Sequence, residues 1–239
     1  FTSGTTQSLN MIVNGFFKDY LNDGDEVLLT KAEHASNILP WFNIEKDIKI
    51  KYIELDNELV TLDNVIKSIT PNTKVISLAH ITNVIGDERP IKEITDYAHK
   101  HNILVVLDAA QSAPHVKIDV ENLGVDFMGF SGHKMCGPTG IGVLYGKYEL
   151  LNKLNPQNVG GGMNNDFESN MTYRYKELPY RLEAGTPNIE GVIGLGSAID
   201  YINSIGINNI ENYVSNLRSY AIDKLSKLKN IDIYNKDIK

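Results

Sequence analysis

Cysteine occurs once in these 239 residues, at Cys136. One thiol excludes an intrachain disulfide framework and any metal site built from several thiolates, and such scarcity fits a reducing compartment. Positive charge is also short, with 23 Lys and Arg against 30 Asp and Glu and a net charge of −7. Proteins that hold nucleic acid through its phosphates need a basic face, so general nucleic-acid binding is set aside. No apolar run reaches the roughly 18 residues that a membrane span needs. Internal repeats and low-complexity tracts are missing as well. Together these absences describe a soluble protein, and the expected location is cytoplasmic. The chain opens at Phe1 without an initiator methionine and runs straight into TSGTTQSLN. It therefore reads as an excerpt of a longer protein, and the missing targeting signal carries no weight.

Helical and strand patterns alternate along the chain. QSLNMIVNGFFKDYL (Gln7 to Leu21) has apolar residues at helical spacing. DEVLLT (Asp25 to Thr30) reads as a buried strand, SNILPWFNIEKD as a helix disturbed or entered by Pro40, and KIKYIELD (Lys49 to Asp56) as an alternating strand. TLDNVIKSIT is a helix with Thr61 as its N-cap, TKVISLAHI a strand, and PIKEITDYAHKHN a helix with Pro90 near its start. ILVVLDAAQS (Ile103 to Ser112) is almost continuously apolar and ends in polar residues, as a central parallel strand does. VDFMGFSGHK and GIGVLYG add two strands, and two amphipathic helices follow, with NIDIY beginning a further strand that has no partner. The alternation predicts an α/β fold with a mostly parallel sheet covered by helices on both faces. Residues 1–204 are expected to form one large domain and 205–239 the start of a truncated smaller one.

Ligands of open α/β sheets bind at the carboxyl ends of the strands, and three polar constellations fall there. Asp108 and Gln111 follow ILVVL; Asp108 reads either as an ordinary helix cap or as a carboxylate facing a cationic ring nitrogen. Ser131, His133 and Lys134 lie in GFSGHKMCGPTG, with the lysine 26 residues beyond Asp108. A lone lysine in a glycine-rich loop is ordinarily solvated, but one held at a crowded strand end can lose its proton and attack a carbonyl. In SGTTQ, Gly4 lets the backbone turn, and Thr5, Thr6 and the free helix amides make either a plain cap or an anion site. A phosphate at Thr5 and Thr6, a pyridinium at Asp108 and an aldehyde at Lys134 are what pyridoxal 5′-phosphate (PLP) requires. Gln111 could then donate to the ring oxygen and His34 could stack on the ring, although a histidine near a strand end is more often a surface or core residue.

SGTTQSLN, AEHASNILPW, HITNVIG, LDAAQSAPH, FSGHKMCGPTGIGVLYG and EAGTPNI occur in this order. The set resembles the PLP-dependent enzymes of the class V aminotransferase fold, and most of all the cysteine desulfurases of the SUF type. The resemblance implies the aspartate aminotransferase-like fold. It implies that Lys134 bonds the PLP aldehyde and then moves the substrate proton, with Asp108 at the ring nitrogen and Gln111 at the ring oxygen. His34 would stack on the ring and assist proton transfer. Thr6, Ser131 and His133 would bind the phosphate, with Thr5 beside that cradle, and Asn83 would lie near the substrate carboxylate. Thr186 resembles a residue that reaches the phosphate of the partner subunit's cofactor, which implies a homodimer. The implied reaction converts L-cysteine, or L-selenocysteine, to L-alanine. Its sulfur is held as a persulfide and passed to an acceptor protein for iron–sulfur cluster assembly.

Cys136 is expected to be a packing residue, because the resemblance puts the persulfide cysteine and the arginine that holds the substrate carboxylate beyond Lys239. Polar and aromatic NNDFESNMTYRYKELPYR (Asn164 to Arg181) reads either as a flexible rim over a neighbouring subunit's site or as an exposed loop. Two alternatives to a desulfurase stand beside it. Another class V enzyme, namely a selenocysteine lyase, an aminotransferase or an epimerase, would share every motif above. A non-enzymatic scaffold for a sulfur-transfer protein would bind no PLP.

Overall fold

The structure is a computed structural model that describes residues 1–56, 59–167 and 172–234. In chain order the main sheet contains β1 (Glu26–Leu29), β2 (Lys49–Tyr52), β3 (Thr73–Ala79), β4 (Leu104–Asp108), β5 (Phe127–Ser131) and β6 (Gly142–Gly146). A separate antiparallel pair joins β7 (Asn164–Phe167) to β8 (Tyr173–Tyr175). The helices are α1 (Thr5–Ile12), α2 (Lys18–Tyr20), α3 (Ala35–Ile38), α4 (Leu62–Ser68), α5 (Ile91–Lys100), α6 (Val120–Leu123), α7 (Tyr148–Leu151), α8 (Ile189–Ile205) and α9 (Ile207–Leu225).

Strand order across the main sheet is β2-β1-β3-β4-β5-β6. Every neighbouring pair is parallel except β5 with β6, which is antiparallel. Side chains alternate between the two faces of a strand, and the buried residues divide accordingly. Leu28, Ile76, Leu78, Val105, Leu107 and Met128 belong to one apolar cluster, with Val65 of α4 and Ile91, Ile94 and Ala98 of α5. Val27, Leu29, Val75, Val106 and Phe127 belong to the other, with Leu9 and Ile12 of α1, Phe16, Phe17 and Trp41. Helices therefore cover both faces, as expected. A third cluster lies under α8, where Leu195 and Ile202 meet Met135 and Ile141.

Local chemistry modifies several of the expected elements. The first helix changes to a π-turn over Val13–Phe17 before α2. There the Gly15 carbonyl accepts a hydrogen bond from the Asn155 N–H at 2.8 Å. Pro40 sits at the start of a 3-10 turn, Leu39–Asn43, so the expected helix around it is only α3 plus that turn. β2 stops at Tyr52, four residues short of the expected Asp56. Thr61 does cap α4, in a reciprocal box with Asn64. Residues 231–233 of NIDIY are not a strand. Part of the Asn164–Arg181 segment, residues 168–171, lies outside the described residues. Among the described residues no helix is long and apolar enough to cross a membrane.

Cys136 overturns the expectation of a packing residue. It is exposed, in a left-handed backbone conformation with φ 61°. The turn directs Met135 into the cluster under α8 instead, so the larger apolar side chain takes the buried place.

Candidate active site

At the carboxyl ends of the strands a cavity of about 190 Å³ opens. Order reverses there between β1 and β3, the switch point where open sheets bind ligands. Nine of the ten residues singled out in the sequence line this cavity: Thr5, Thr6, His34, Asn83, Asp108, Gln111, Ser131, His133 and Lys134. Thr186 does not join them; it is exposed and lines a separate cleft with Gln7 and Asn188. Ser36, Ala79, Ile81 and Ala110 complete the lining. Their chemistry gave no sequence signal, except that Ser36 follows His34 by two residues.

Asp108 is the last residue of β4, registered against Ala79 of β3 and Gly129 of β5. It is buried, and its Oδ1 accepts from the Ala110 N–H at 2.9 Å. It therefore caps a turn and also lines the cavity. Burial pushes its carboxyl pKa up, the Ala110 N–H opposes that, Glu33 adds to the rise, and the charges of Lys134 and His34 oppose it. A carboxylate in that position favours a cationic partner.

Lys134 lies in the short connection between β5 and β6 and is half-buried. Its Nζ makes no hydrogen bond or ion pair with the described residues, yet its charge bears on Asp108. His34 caps α3, its Nδ1 accepting from the Ser36 N–H at 3.1 Å. That bond places the proton of the neutral ring on Nε2.

The phosphate-like corner is built from two distant segments. Gly4 has φ 148°, a conformation that favours glycine, and a Cβ there would meet Ser131 Oγ at 3.0 Å. The Thr5 N–H donates to Ser131 Oγ at 2.8 Å, and the two hydroxyls lie 2.7 Å apart. Thr6 Oγ1 is 2.7 Å from Ser36 Oγ. The free amides of α1 thus begin beside Ser131, His133 and Thr6, which suits an anion.

The fold and these groups place the molecule among the type of α/β protein that holds an anionic ligand at its strand ends. The chain belongs to the aminotransferase class-V family, which matches over residues 1–239. It is 45% identical over 237 residues to the probable cysteine desulfurase of Halalkalibacterium halodurans, covering 98% of this chain and 58% of that protein. It is 39% identical over 248 residues to the cysteine desulfurase of Wigglesworthia glossinidia brevipalpis, covering 100% of this chain and 59% of the relative. Among solved structures it is similar to the cysteine desulfurase CsdA of Escherichia coli. The TM-score is 0.91 and the identity 37%, over 95% of this chain and 57% of the other. The chain thus spans less than two thirds of the length of these relatives.

A phosphorylated pyridine aldehyde fits the cavity's donor set. A buried carboxylate with a raised pKa suits a ring N–H⁺, an amine without a protein partner suits an aldehyde, and a helix start with hydroxyls suits a phosphate.

Proposed function

We propose that this chain is the cofactor-binding core of a PLP-dependent cysteine desulfurase. The complete enzyme converts L-cysteine to L-alanine and passes the sulfur, as an enzyme-bound persulfide, to an acceptor protein for iron–sulfur cluster assembly. The observation that carries this reading is the convergence of nine candidate residues from distant segments on one cavity, with Asp108 buried at its floor. The similarity to cysteine desulfurases along the whole chain supports it.

When bound, PLP supplies an electron-withdrawing ring that makes the substrate Cα–H acidic and its C–S bond breakable. Asp108 would pair with the protonated ring nitrogen and Gln111 with the ring oxygen. Lys134 Nζ would hold the group at its aldehyde, and the same amine would serve as the proton-transfer base at the substrate Cα. His34 would lie against the ring and assist proton transfer. Thr6, Ser131 and His133 hold the phosphate, and Thr5 fixes the Ser131 hydroxyl. Asn83 lies on the side of the substrate carboxylate.

The exposed Thr186 lies away from this cavity, consistent with a role toward the partner subunit's cofactor in a homodimer. Cys136 does not line the cavity, so the persulfide belongs on a cysteine outside this chain. Residues 1–204 would form the large domain and 205–239 the start of the smaller one; the lack of buried residues in α9 supports that division. The enzyme works in the cytoplasm.

The test is to supply the complete protein with L-cysteine and a reductant and to quantify alanine. Alanine with an equal amount of sulfide is expected. Lys134→Ala should reduce the rate by about 10³-fold or more with the fold intact, and Asp108→Asn by about 10²-fold with PLP still bound. A PLP-loaded protein that releases no alanine is another class V enzyme, to be tried with selenocysteine and amino-group acceptors. A protein that binds no PLP is the scaffold of the third reading.

A further inference from the structure

Behind the cavity wall three charged side chains are buried together. The Arg89 side chain is 1% exposed, that of Glu33 0% and that of Asp87 3%. Arg89 Nη1 donates to Glu33 Oε1 and, at 3.4 Å, to the Ala79 carbonyl. Its Nη2 donates to Thr30 Oγ1 at 3.1 Å, and its Nε to Asp87 Oδ2 at 3.4 Å. The second Glu33 oxygen accepts from the Ala79 N–H at 2.7 Å and from Asn37 Nδ2 at 2.9 Å. Asp87 Oδ1 accepts from Thr82 Oγ1.

One guanidinium therefore joins two segments. The first is the turn after β1, which carries His34 and Ser36; the second is the segment after β3, which carries Ile81 and Asn83. All four of those residues line the cavity. Buried ion pairs are weak stabilisers, because desolvation offsets much of their attraction, and apolar replacements are often as stable. Stability alone is thus a poor account of this set, which sits directly behind a ligand cavity. Lysine could supply the charge but not the planar fork that reaches Glu33, Thr30, Ala79 and Asp87 together.

The geometry points to Arg89 as a positioning residue of the cofactor site. It holds the His34 and Asn83 walls in register. This inference rests on reading the cavity as a PLP site.

The experiment uses the complete protein and compares Arg89→Met, Arg89→Lys and the double variant Glu33→Gln with Arg89→Met. Three quantities are read: the melting temperature without PLP, the Kd for PLP, and the visible circular dichroism per bound PLP, which reports how rigidly the ring is held. Arg89→Met should melt lower, weaken PLP by about tenfold or more and lose most of the visible signal. Arg89→Lys should keep more of the affinity but not the full visible signal. The double variant removes the unpaired Glu33 charge and should regain much of the melting temperature, while affinity and visible signal stay low. Recovery of all three together would make Arg89 structural only and overturn the proposal. Where Arg89→Met does not fold, the other two variants decide. An unsubstituted protein that binds no PLP removes the reading of the site and this inference with it. PLP binding that is indifferent to Arg89 removes this inference alone.

Discussion

Asp126 and Asp108, at opposite edges of the main sheet, are buried carboxylates partnered in opposite ways. At the amino edge Glu26 is 6% exposed and Asp126 2%, against 4% for Asp108 at the carboxyl edge. Burial is thus the same, and partnering decides the difference. Asp126 accepts from the Val105 N–H at 2.7 Å, from Lys147 Nζ at 2.7 Å and from His99 Nε2 at 2.9 Å. Burial pushes the Glu26 pKa up, but hydrogen bonds from Thr70, Lys51 and Thr73 outweigh it and leave the pKa below the usual value. Asp108 has one backbone N–H, and its pKa is raised. The carboxyl edge also holds Glu33 and Asp87, which Arg89, Thr82, Asn37 and the Ala79 N–H satisfy, whereas Asp108 retains capacity for a ligand. Where burial is equal, unspent hydrogen-bonding and charge capacity marks the site.

The sharpest break of this contrast compares Asp126→Ala with Asp108→Asn in protein without PLP. Losing Asp126 orphans the buried Val105 N–H and takes the carboxylate from Lys147 and His99, and should cost about 3 kcal/mol. Asp108→Asn removes a buried charge with little compensation and should be neutral or stabilising. Urea unfolding measures both, and a large loss for Asp108→Asn would erase the distinction between the edges.

His80 offers a second, pH-dependent comparison beside the same cavity. Burial lowers its pKa from 6.5 to about 4, and its buried Nδ1 has no hydrogen-bond partner. Glu88, exposed, lies 3.8 Å from its Nε2. Between those two pH values the unfolded chain binds the proton that the folded chain refuses, so stability falls as pH falls from 6.5 toward 4. The loss should reach about 2 kcal/mol near the acid end. His80→Gln should flatten that slope; an unchanged slope would assign the acid sensitivity to other groups. The smallest effect belongs to the cap of α4, away from the cavity. Thr61→Ala should cost about 1 kcal/mol in thermal unfolding and leave the Kd for PLP unchanged.

Much of this site is legible in the sequence because its residues sit at strand ends, and apolar runs reveal those ends. LVVL announces Asp108, and the glycine-rich turn after a strand announces Lys134. The layered fold follows from the same alternation. The antiparallel direction of β6 is less visible, since GVLYG has the composition of any strand and only the short connection after Ser131 hints at a hairpin. The Glu33–Arg89–Asp87 set left no signal. In sequence each is a charge in a polar loop, and only the packing of two segments 56 residues apart buries them. Cys136 misled for a related reason. The resemblance set it aside as a persulfide carrier and left packing as its expected place, whereas the local φ decides which way the side chain turns.

The stitching of the chain's first residues to the lysine hairpin bears on when the site can exist. The Thr2 N–H donates to the Gly142 carbonyl at 2.9 Å and the Gly142 N–H to the Thr2 carbonyl at 2.7 Å, while Thr5 and Ser131 meet across 126 residues. Contacts of such sequence separation form late, because loop closure must precede their reward. On the ribosome, the corner between Thr5 and Ser131 cannot be stitched fully into place until β6 has emerged. A ligand of the kind proposed for that corner would therefore wait on the order of synthesis itself.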